Sequence, residues 1–257
     1  MEMQVPRLRI GEGVEIVGLG LYVESLDALL AADLHLGYEE ALAAQGVFLP
    51  PAQYSEIREL LTSMVEESGA RRLILLGDVK HEFGDVTRME WRETLSLLEL
   101  LQRDFGLRVE VVRGNHDSYL AGVLKRLGVP LHDPYLLEDG WLLMHGHLPP
   151  PMEFYSDKVE RLAMGHEHPA ILLRDELGAK LKLKAFLSGE HSGKAVYVLP
   201  ALSPLMPGTE VNVDRPLLSP LLKDAEIDAF RVYAVDVEAG IFDFGELRSV
   251  KLALAYP

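Results

Sequence analysis

The sequence predicts an α/β fold. Short apolar runs of strand length alternate along the chain with stretches whose apolar residues recur at helical spacing. Several of the apolar runs stop beside a glycine and then deliver Asp, His or Asn. The clearest example is Val111-Val112-Arg113-Gly114-Asn115-His116-Asp117, where a valine-rich run gives way at once to three side chains able to bind a metal or move a proton. Asn and Asp also suit ordinary turns, so the tripeptide alone defines nothing. Its recurrence along the chain does.

Taken in order, Val14 to Val17, Leu21 to Val23 and Leu29 to Ala32 read as strands, the first two separated by Gly18 and Gly20. The third delivers Asp33-Leu34-His35. In an extended segment residues two apart share a face, which would aim Asp33 and His35 into one site. A helical stretch follows to about Gln45, with Gly46 as its stop. Beyond Pro50-Pro51, the spacing of Tyr54, Ile57, Leu60, Leu61, Met64 and Val65 predicts a helix that ends at Gly69 and packs on a sheet face. Arg71 to Leu76 is a strand ending in Gly77-Asp78, with Lys80-His81 just beyond. Thr87 and Glu90 form a capping-box pattern for a helix carrying Trp91, Leu95, Leu98, Leu101 and Phe105.

The strand Leu107 to Val112 leads into the Gly114 motif, and Leu120, Val123, Leu124 and Leu127 mark a short helix closed by Gly128. Tyr135 to Leu137 and Trp141 to Met144 flank Asp139-Gly140, a hairpin turn, and the second run delivers His145-Gly146-His147. Past Pro149-Pro150-Pro151, a helix containing Val159 and Leu162 is expected to lead into Gly165-His166-Glu167-His168. Ile171 to Arg174 and Lys180 to Phe186 are expected to pair around Asp175 to Gly178. Ala195 to Leu199 and Phe230 to Val237 read as strands, with a last one near Ile241 to Phe244. Leu205 to Asp224, rich in proline and poor in periodicity, reads as a surface excursion. No repeat, low-complexity tract or linker divides the chain, so residues 1–257 are expected to form one domain.

At 257 residues, 48% apolar and 25% charged, the composition is that of an ordinary globular protein with a sizeable core. No apolar run is long enough to span a bilayer, and the start, Met1-Glu2-Met3-Gln4-Val5-Pro6, lacks the basic segment of a secretory signal. A cytoplasmic protein without membrane partners is expected. Cysteine is absent, which removes disulfides, thiolate metal sites and a cysteine nucleophile. Any metal must be held by Asp, Asn, Glu and His. The formal charge of −15 argues against broad, sequence-independent grip on nucleic acid, although not against a local basic patch. Asn115 and Asn212 are the only asparagines, an avoidance of heat-labile amides that suggests a thermophilic source. It also suggests that the asparagine beside His116 is needed there.

Set side by side, the delivered groups are Asp33, His35, Asp78, Asn115, His116, His145, His147, His166 and His168. Strand ends at one edge of a fold would bring them together. Mixed carboxylate and imidazole donors suit divalent ions such as Mn²⁺, Fe²⁺ or Zn²⁺. They are too many for one tetrahedral ion, whereas two ions bridged by a shared carboxylate would use them.

In this order, Asp33-x-His35, Gly77-Asp78-x-x-His81, Gly114-Asn115-His116-Asp117, His145-Gly-His147 and Gly165-His166-x-His168 resemble the five signature blocks of the calcineurin-like metallophosphoesterase superfamily. The resemblance spans residues 33 to 168. Gly77 to Phe83 and Pro200-Ala201-Leu202-Ser203-Pro204-Leu205 further resemble the smaller SbcD-related phosphoesterases of archaeal type. What the resemblance implies is a four-layer αββα sandwich with a dimetal site at the strand ends. Asp33, His35, Asp78 and His168 would hold one ion, and Asp78, Asn115, His145 and His166 the other, with Asp78 as the bridge. Mn²⁺ is the expected metal, with Fe, Zn, Ni or Co as alternatives. Metal-activated hydroxide would attack phosphorus, His116 would protonate the leaving group with Asp117 orienting its ring, and His81 and His147 would contact substrate or ligands.

His81 stands where many phosphatases of the superfamily carry Asp, which leans the expectation toward phosphodiesters, including nucleotides and short or single-stranded nucleic acid. A phosphomonoesterase is the alternative. A scaffold that has lost catalysis is a third reading, weakened because every ligand position is filled. Arg174, Lys180, Lys182, Lys184 and Lys194 make a local basic cluster, and the alternation at 180, 182 and 184 puts three lysines on one strand face. That face is either solvated or turned toward the metals to guide phosphates. The apolar residues of Leu217 to Leu222 either dock on a second subunit, giving a homodimer, or fold back on their own core.

Overall fold

The computed structural model describes residues 4–174, 178–213 and 216–255. Its first sheet is built from β1 (Arg7–Gly11), β2 (Val14–Val17), β3 (Gly20–Val23) and β4 (Ala28–Ala31), an antiparallel meander. After α1 (Tyr38–Ala44) and α2 (Gln53–Ser68) it continues through β5 (Arg72–Leu75), α3 (Arg88–Arg103), β6 (Arg108–Val112), α4 (Ala121–Leu127) and β7 (Leu131–His132). The strands lie in sequence order across the sheet, and β4 to β7 are parallel. Parallel strands buried on both faces read as unbroken apolar runs, as Ala28-Leu29-Leu30-Ala31 does. Because β4, β5 and β6 point the same way, the residues that follow them emerge at one edge.

The helices follow local rules. α2 buries Ile57, Leu60, Leu61, Met64 and Val65 and is closed by Gly69 in the left-handed region at φ 65°. α3 starts at the expected capping box of Thr87 and Glu90.

The second sheet contains β8 (Tyr135–Glu138), β9 (Trp141–Met144), β10 (Arg161–Met164), β11 (Pro169–Arg174), β12 (Lys180–His191), β13 (Lys194–Val198) and β14 (Thr209–Glu210). After α5 (Pro220–Asp224), β15 (Arg231–Asp236) and β16 (Gly240–Glu246) extend it, and α6 (Leu247–Ala255) ends the described chain. β9, β10 and β13 are parallel neighbours; β15 joins the opposite edge of the long β12, where Lys184 pairs with both Ala170 and Val235. Alternate residues of these strands part company. Trp141, Leu143, Ala163, Phe186 and Tyr233 join the core shared with the first sheet, whereas Leu142, Met144, Leu162, Val196 and Val232 pack with Leu221, Leu222, Leu247 and Val250. The result is four layers: helices, sheet, sheet, helices. Arg72 ties the sheets together, with Nη2 2.8 Å from Glu110 on β6 and Nη1 2.8 Å from Glu138 on β8. Among the described residues, no helix is long and apolar enough to cross a membrane.

Three expectations are corrected. Val159 and Leu162 do not lie on a helix: Leu162 belongs to β10, paired with Leu142 on one side and Val196 on the other. A four-residue run between two strands already in place gains more by completing a ladder than its weak helical spacing could supply. Leu205 to Asp224 is more than a surface excursion, since β14 pairs with β11 and Val211, Leu221 and Leu222 are buried under the second sheet. Leu217 to Leu222 therefore folds back on its own core, leaving Leu218 exposed. β1, β7 and α6 were not anticipated. The expected turn residues Asp175 to Leu177 fall outside the described residues, but the strands beside them pair as expected, Leu172 opposite Lys182.

Glu93 on α3 carries a pH-dependent contribution. Burial above all, then the charges of Glu39 and Glu40, pushes its carboxyl up from 4.5 to about 7, against the pull of Arg92. The folded protein thus binds a proton more readily than the unfolded chain. The contribution is fully present below about pH 4.5 and is lost as pH rises through about 7. Glu93→Gln is expected to raise stability by about 1–3 kcal/mol at pH 8, allowing for solvent screening, and to leave it nearly unchanged at pH 4. Thermal unfolding at both pH values tests this, and equal shifts at the two would contradict it.

Candidate metal centre

The donors come together because the strand ends do. Asp33 follows β4, Asp78 follows β5, Asn115 and His116 follow β6, His145 follows β9, and His166 and His168 follow β10. Past the strands the loops stay laced together: Asp33 N donates to Gly77 O at 3.1 Å and His35 N to Asp78 O at 2.9 Å. Asp33, His35, Asp78, His166 and His168 all have left-handed backbone, at φ 60°, 47°, 53°, 67° and 49°. They make up five of the nine non-glycine residues of that kind among the described residues, so backbone strain is concentrated here. Asp33 and His35 therefore meet through turns and not, as expected, through the alternation of an extended strand. The approach is close enough that a Cβ on Gly77 would lie 2.6 Å from His145 Nδ1 and 2.8 Å from the Gly114 backbone.

Three donor groups result, one of imidazoles alone (His35, His81 and His116) and two that include a carboxylate. Ligand atoms of Asp33, His35 and His168 lie within 4.8 Å of one another, as do those of Asp78, His145 and His166. Asp78 connects them: its Oδ2 is 3.2 Å from His145 Nε2 and 3.7 Å from His35 Nε2. Asn115 Oδ1 stands 3.0 Å from His145 Nε2. His35 Nε2 is buried without a hydrogen-bond partner, and Asp33 Oδ1 and His168 Nε2 are buried 3.0 Å apart with no other hydrogen-bond partner, although such atoms are costly to bury unsatisfied. A divalent cation is the species that would satisfy all three. The donor set therefore fits a metal.

Protonation of the donors agrees with that use at every group but His145, which would have to give up a proton to a metal. Burial foremost holds His35 down at about 3 and His166 at about 4, so both rings are neutral donors at pH 7. Burial works to raise Asp78, but His145, by hydrogen bond and charge, outweighs it with help from His35 and His116 and keeps the carboxyl below its ordinary range. Asp33 is lowered in the same way, burial being overcome by His168 and His145. His145 is pushed up to about 9: burial opposes this, and the nearby Asp78 and Asp33 prevail. Its Nδ1–H donates to Leu76 O at 2.8 Å, which leaves Nε2 to face Asp78 and Asn115.

His116 stands outside both carboxylate-containing groups and shares the third with His35 and His81. Its Nδ1 contacts the His81 carbonyl, its ring lies edge-on to His35 at 4.8 Å, and its Nε2 is 3.8 Å from Asp78 Oδ2. The expectation that Asp117 orients this ring is not met. The buried Asp117 carboxylate accepts from three backbone amides, Asp78 N and Gly114 N at 2.8 Å and Val79 N at 2.9 Å. Asp117 thus holds the loops after β5 and β6, while a main-chain carbonyl takes the role expected of it. His81 places Nδ1 3.4 Å from His35 Nδ1 and is stacked on Tyr38 at 4.0 Å. His147 lies 5.2 Å from the His145 ring and 6.0 Å from that of His166.

Several supporting residues were not apparent from the sequence. Gln53 Nε2 donates to His35 O and Ser203 Oγ, both at 2.9 Å, and Ser203 N donates to Asp33 O. Lys184 Nζ donates to the carbonyls of Ala201 and Ser203, and burial lowers its pKa to about 7. Lys182 Nζ donates to Gly208 O at 2.7 Å. The lysine face is therefore neither solvated throughout nor turned on the metal donors: two of its three members brace backbone. Glu167, between the two histidines of its block, accepts from Leu218 N and Ser219 N at 2.9 Å and so ties the donor loop to α5. Ser203, inside the Pro200 to Leu205 motif, Glu167, inside the His-x-His block, and the two lysines, on the alternating strand face, carried a sequence signal, whereas Gln53 carried none.

Two face-to-face sheets with helices outside, and carboxylate and imidazole donors gathered at the strand ends, define a class of metal-binding α/β protein. The chain belongs to the calcineurin-like phosphoesterase family, whose profile matches residues 28–176, from β4 through the last donor loop. As a member it is a metallophosphoesterase. Among solved structures it is similar to the Pseudomonas putida nuclease MPE, at 22% identity and a TM-score of 0.63, covering 93% of this chain and 100% of that one. It is more distantly similar to Yfce, a phosphoesterase from E. coli, at 18% identity and a TM-score of 0.38, covering 81% of this chain and 87% of that one. The first likeness bears on the fold alone, and the second is too remote to carry an argument. No curated protein matches the sequence.

Proposed function

We propose that the protein is a dinuclear metal-dependent phosphodiesterase acting on nucleotides or on short or single-stranded nucleic acid, with residues 1–257 working as one catalytic domain. The observation that carries this reading is the position of Asp78, between two donor groups, with His116 Nε2 3.8 Å from its Oδ2. Asp33, His35, Asp78 and His168 would hold one ion and Asp78, Asn115, His145 and His166 the other. Mn²⁺ is the favoured metal because the donors are hard oxygens and borderline imidazoles. When bound, the ions would acidify a water and offset charge on the phosphoryl oxygens. Asp33 and Asp78 are the only charged donors, so the loaded centre keeps net positive charge and attracts phosphate.

The reaction adds water to phosphorus and breaks the bond to the leaving oxygen, which needs a proton. His116 Nε2 is placed to give it, with Nδ1 held by the His81 carbonyl. His81 and His147 line the same space as contacts to substrate or to donors. The diester preference draws its support from His81, which stands where many phosphatases of the family carry Asp. A phosphomonoesterase is the alternative.

The test is hydrolysis by Mn²⁺-loaded protein of bis-p-nitrophenyl phosphate, p-nitrophenyl phosphate, cyclic nucleotides, and single- and double-stranded DNA and RNA. Turnover of the diester well above the monoester, lost on chelation and restored by Mn²⁺, is the expected result. The reverse preference would overturn the diesterase reading, and metal loading without cleavage of any substrate would favour a scaffold.

A further inference from the structure

The loop from His81 to Thr87 is held by an unusual amount of buried polar structure. Glu90 is fully buried, and its Oε1 accepts from His81 N at 3.0 Å and Glu82 N at 2.7 Å while Oε2 accepts from Thr87 N at 2.9 Å. Lys80 is also fully buried, and its Nζ donates to the carbonyls of Glu82 and Gly84, the two residues flanking Phe83. Burying an ammonium group is costly unless its donors are used, and here they are used to grip the loop on both sides of one residue.

That residue is an exposed phenylalanine. Phe83 is 59% exposed, yet its ring centroid lies 3.8 Å from that of His116, with 30° between the planes. One face of the ring covers the imidazole, and much of the rest is open to solvent. A rigidly held aromatic ring beside the group that protonates the leaving oxygen is placed to meet whatever that oxygen carries. An alkyl or sugar group would cover only part of a flat aromatic face. A nucleobase would stack on it, as bases do on aromatic side chains whatever their identity.

We propose that Phe83 determines specificity for a leaving group bearing a nucleobase, by stacking on that base while its other face packs on His116. This rests on the phosphodiesterase reading and on His116 as proton donor. It also explains how a chain of charge −15 would engage a nucleic-acid strand without bulk positive charge: recognition is through one base beside the scissile bond.

The experiment compares kcat/KM of the Mn²⁺-loaded protein on thymidylyl-thymidine and on the two analogues in which one nucleoside is replaced by an abasic sugar, with bis-p-nitrophenyl phosphate as reference. The wild type is expected to favour the substrate whose leaving nucleoside keeps its base by about five- to hundredfold, the factor one base stacked on one aromatic ring commands. Phe83→Ala is expected to remove that preference, lowering kcat/KM on the substrate whose leaving nucleoside keeps its base about five- to hundredfold more than on the abasic-leaving one, and Phe83→Trp to retain it. If Phe83→Ala slowed all substrates by the same factor, the ring would merely hold His116 and the proposal would be wrong. Equal wild-type rates with and without the base, bis-p-nitrophenyl phosphate still being cleaved, would overturn the proposal and spare the diesterase reading. Failure of the wild type on every substrate would remove both.

Discussion

Asp78→Asn is expected to lower metal-dependent turnover at least about a thousandfold and to leave no more than one ion bound, an effect of several kcal/mol as befits loss of a metal's contribution to the transition state. The substitution keeps shape. An amide oxygen can still accept from His116 N, as Asp78 Oδ1 does at 2.9 Å, so the loop after β6 keeps its anchor. What disappears is one of only two negative charges among the proposed ligands, at the point where both donor groups meet. Two divalent ions would then be offset by Asp33 alone. Metal content after dialysis against Mn²⁺, measured with kcat, is the check. A variant holding two ions with near wild-type turnover would show that Asp78 is not the bridge.

The second large effect is expected at His116, with the opposite signature. His116→Ala should retain both ions, because its ring lies outside both proposed ligand sets, and lose about 10²- to 10⁴-fold in kcat on an unactivated diester, the usual worth of a placed general acid. On bis-p-nitrophenyl phosphate, whose leaving group departs without a proton, the loss should be much smaller. That contrast separates a proton donor from a structural ring. Near wild-type turnover on the unactivated diester would exclude the role, and loss of bound metal would place His116 among the ligands.

Much of this centre was legible before the fold was known. The donors announce themselves because most follow a short apolar run, several with a glycine beside them, and both are local features of the chain. The capping box of α3, the Gly69 stop of α2 and the Asp139-Gly140 hairpin were readable for the same reason. Where sequence reasoning failed, the deciding interaction came from far away. Leu162 lies in a strand because Leu142 and Val196 stand on either side of it, 20 and 34 residues distant. Leu221 and Leu222 look like a loose apolar segment until the outer face of the second sheet is there to receive them.

The sequence by itself determined which chemistry the protein can support: an Asp, Asn and His donor set without thiolate, delivered in the order of a calcineurin-like phosphoesterase, on alternating strands and helices. The tertiary structure decided how those donors divide, since left-handed turns and not strand alternation bring Asp33 to His35. It also decided that Asp117 braces backbone while the His81 carbonyl holds His116, that Lys184 secures the loop beside Asp33, and that Phe83 stands over the His116 ring. Periodicity and turn chemistry act over a few residues and can be read in one dimension. A buried polar atom must find a partner wherever the fold supplies one, and the identity of that partner is settled only when distant segments pack.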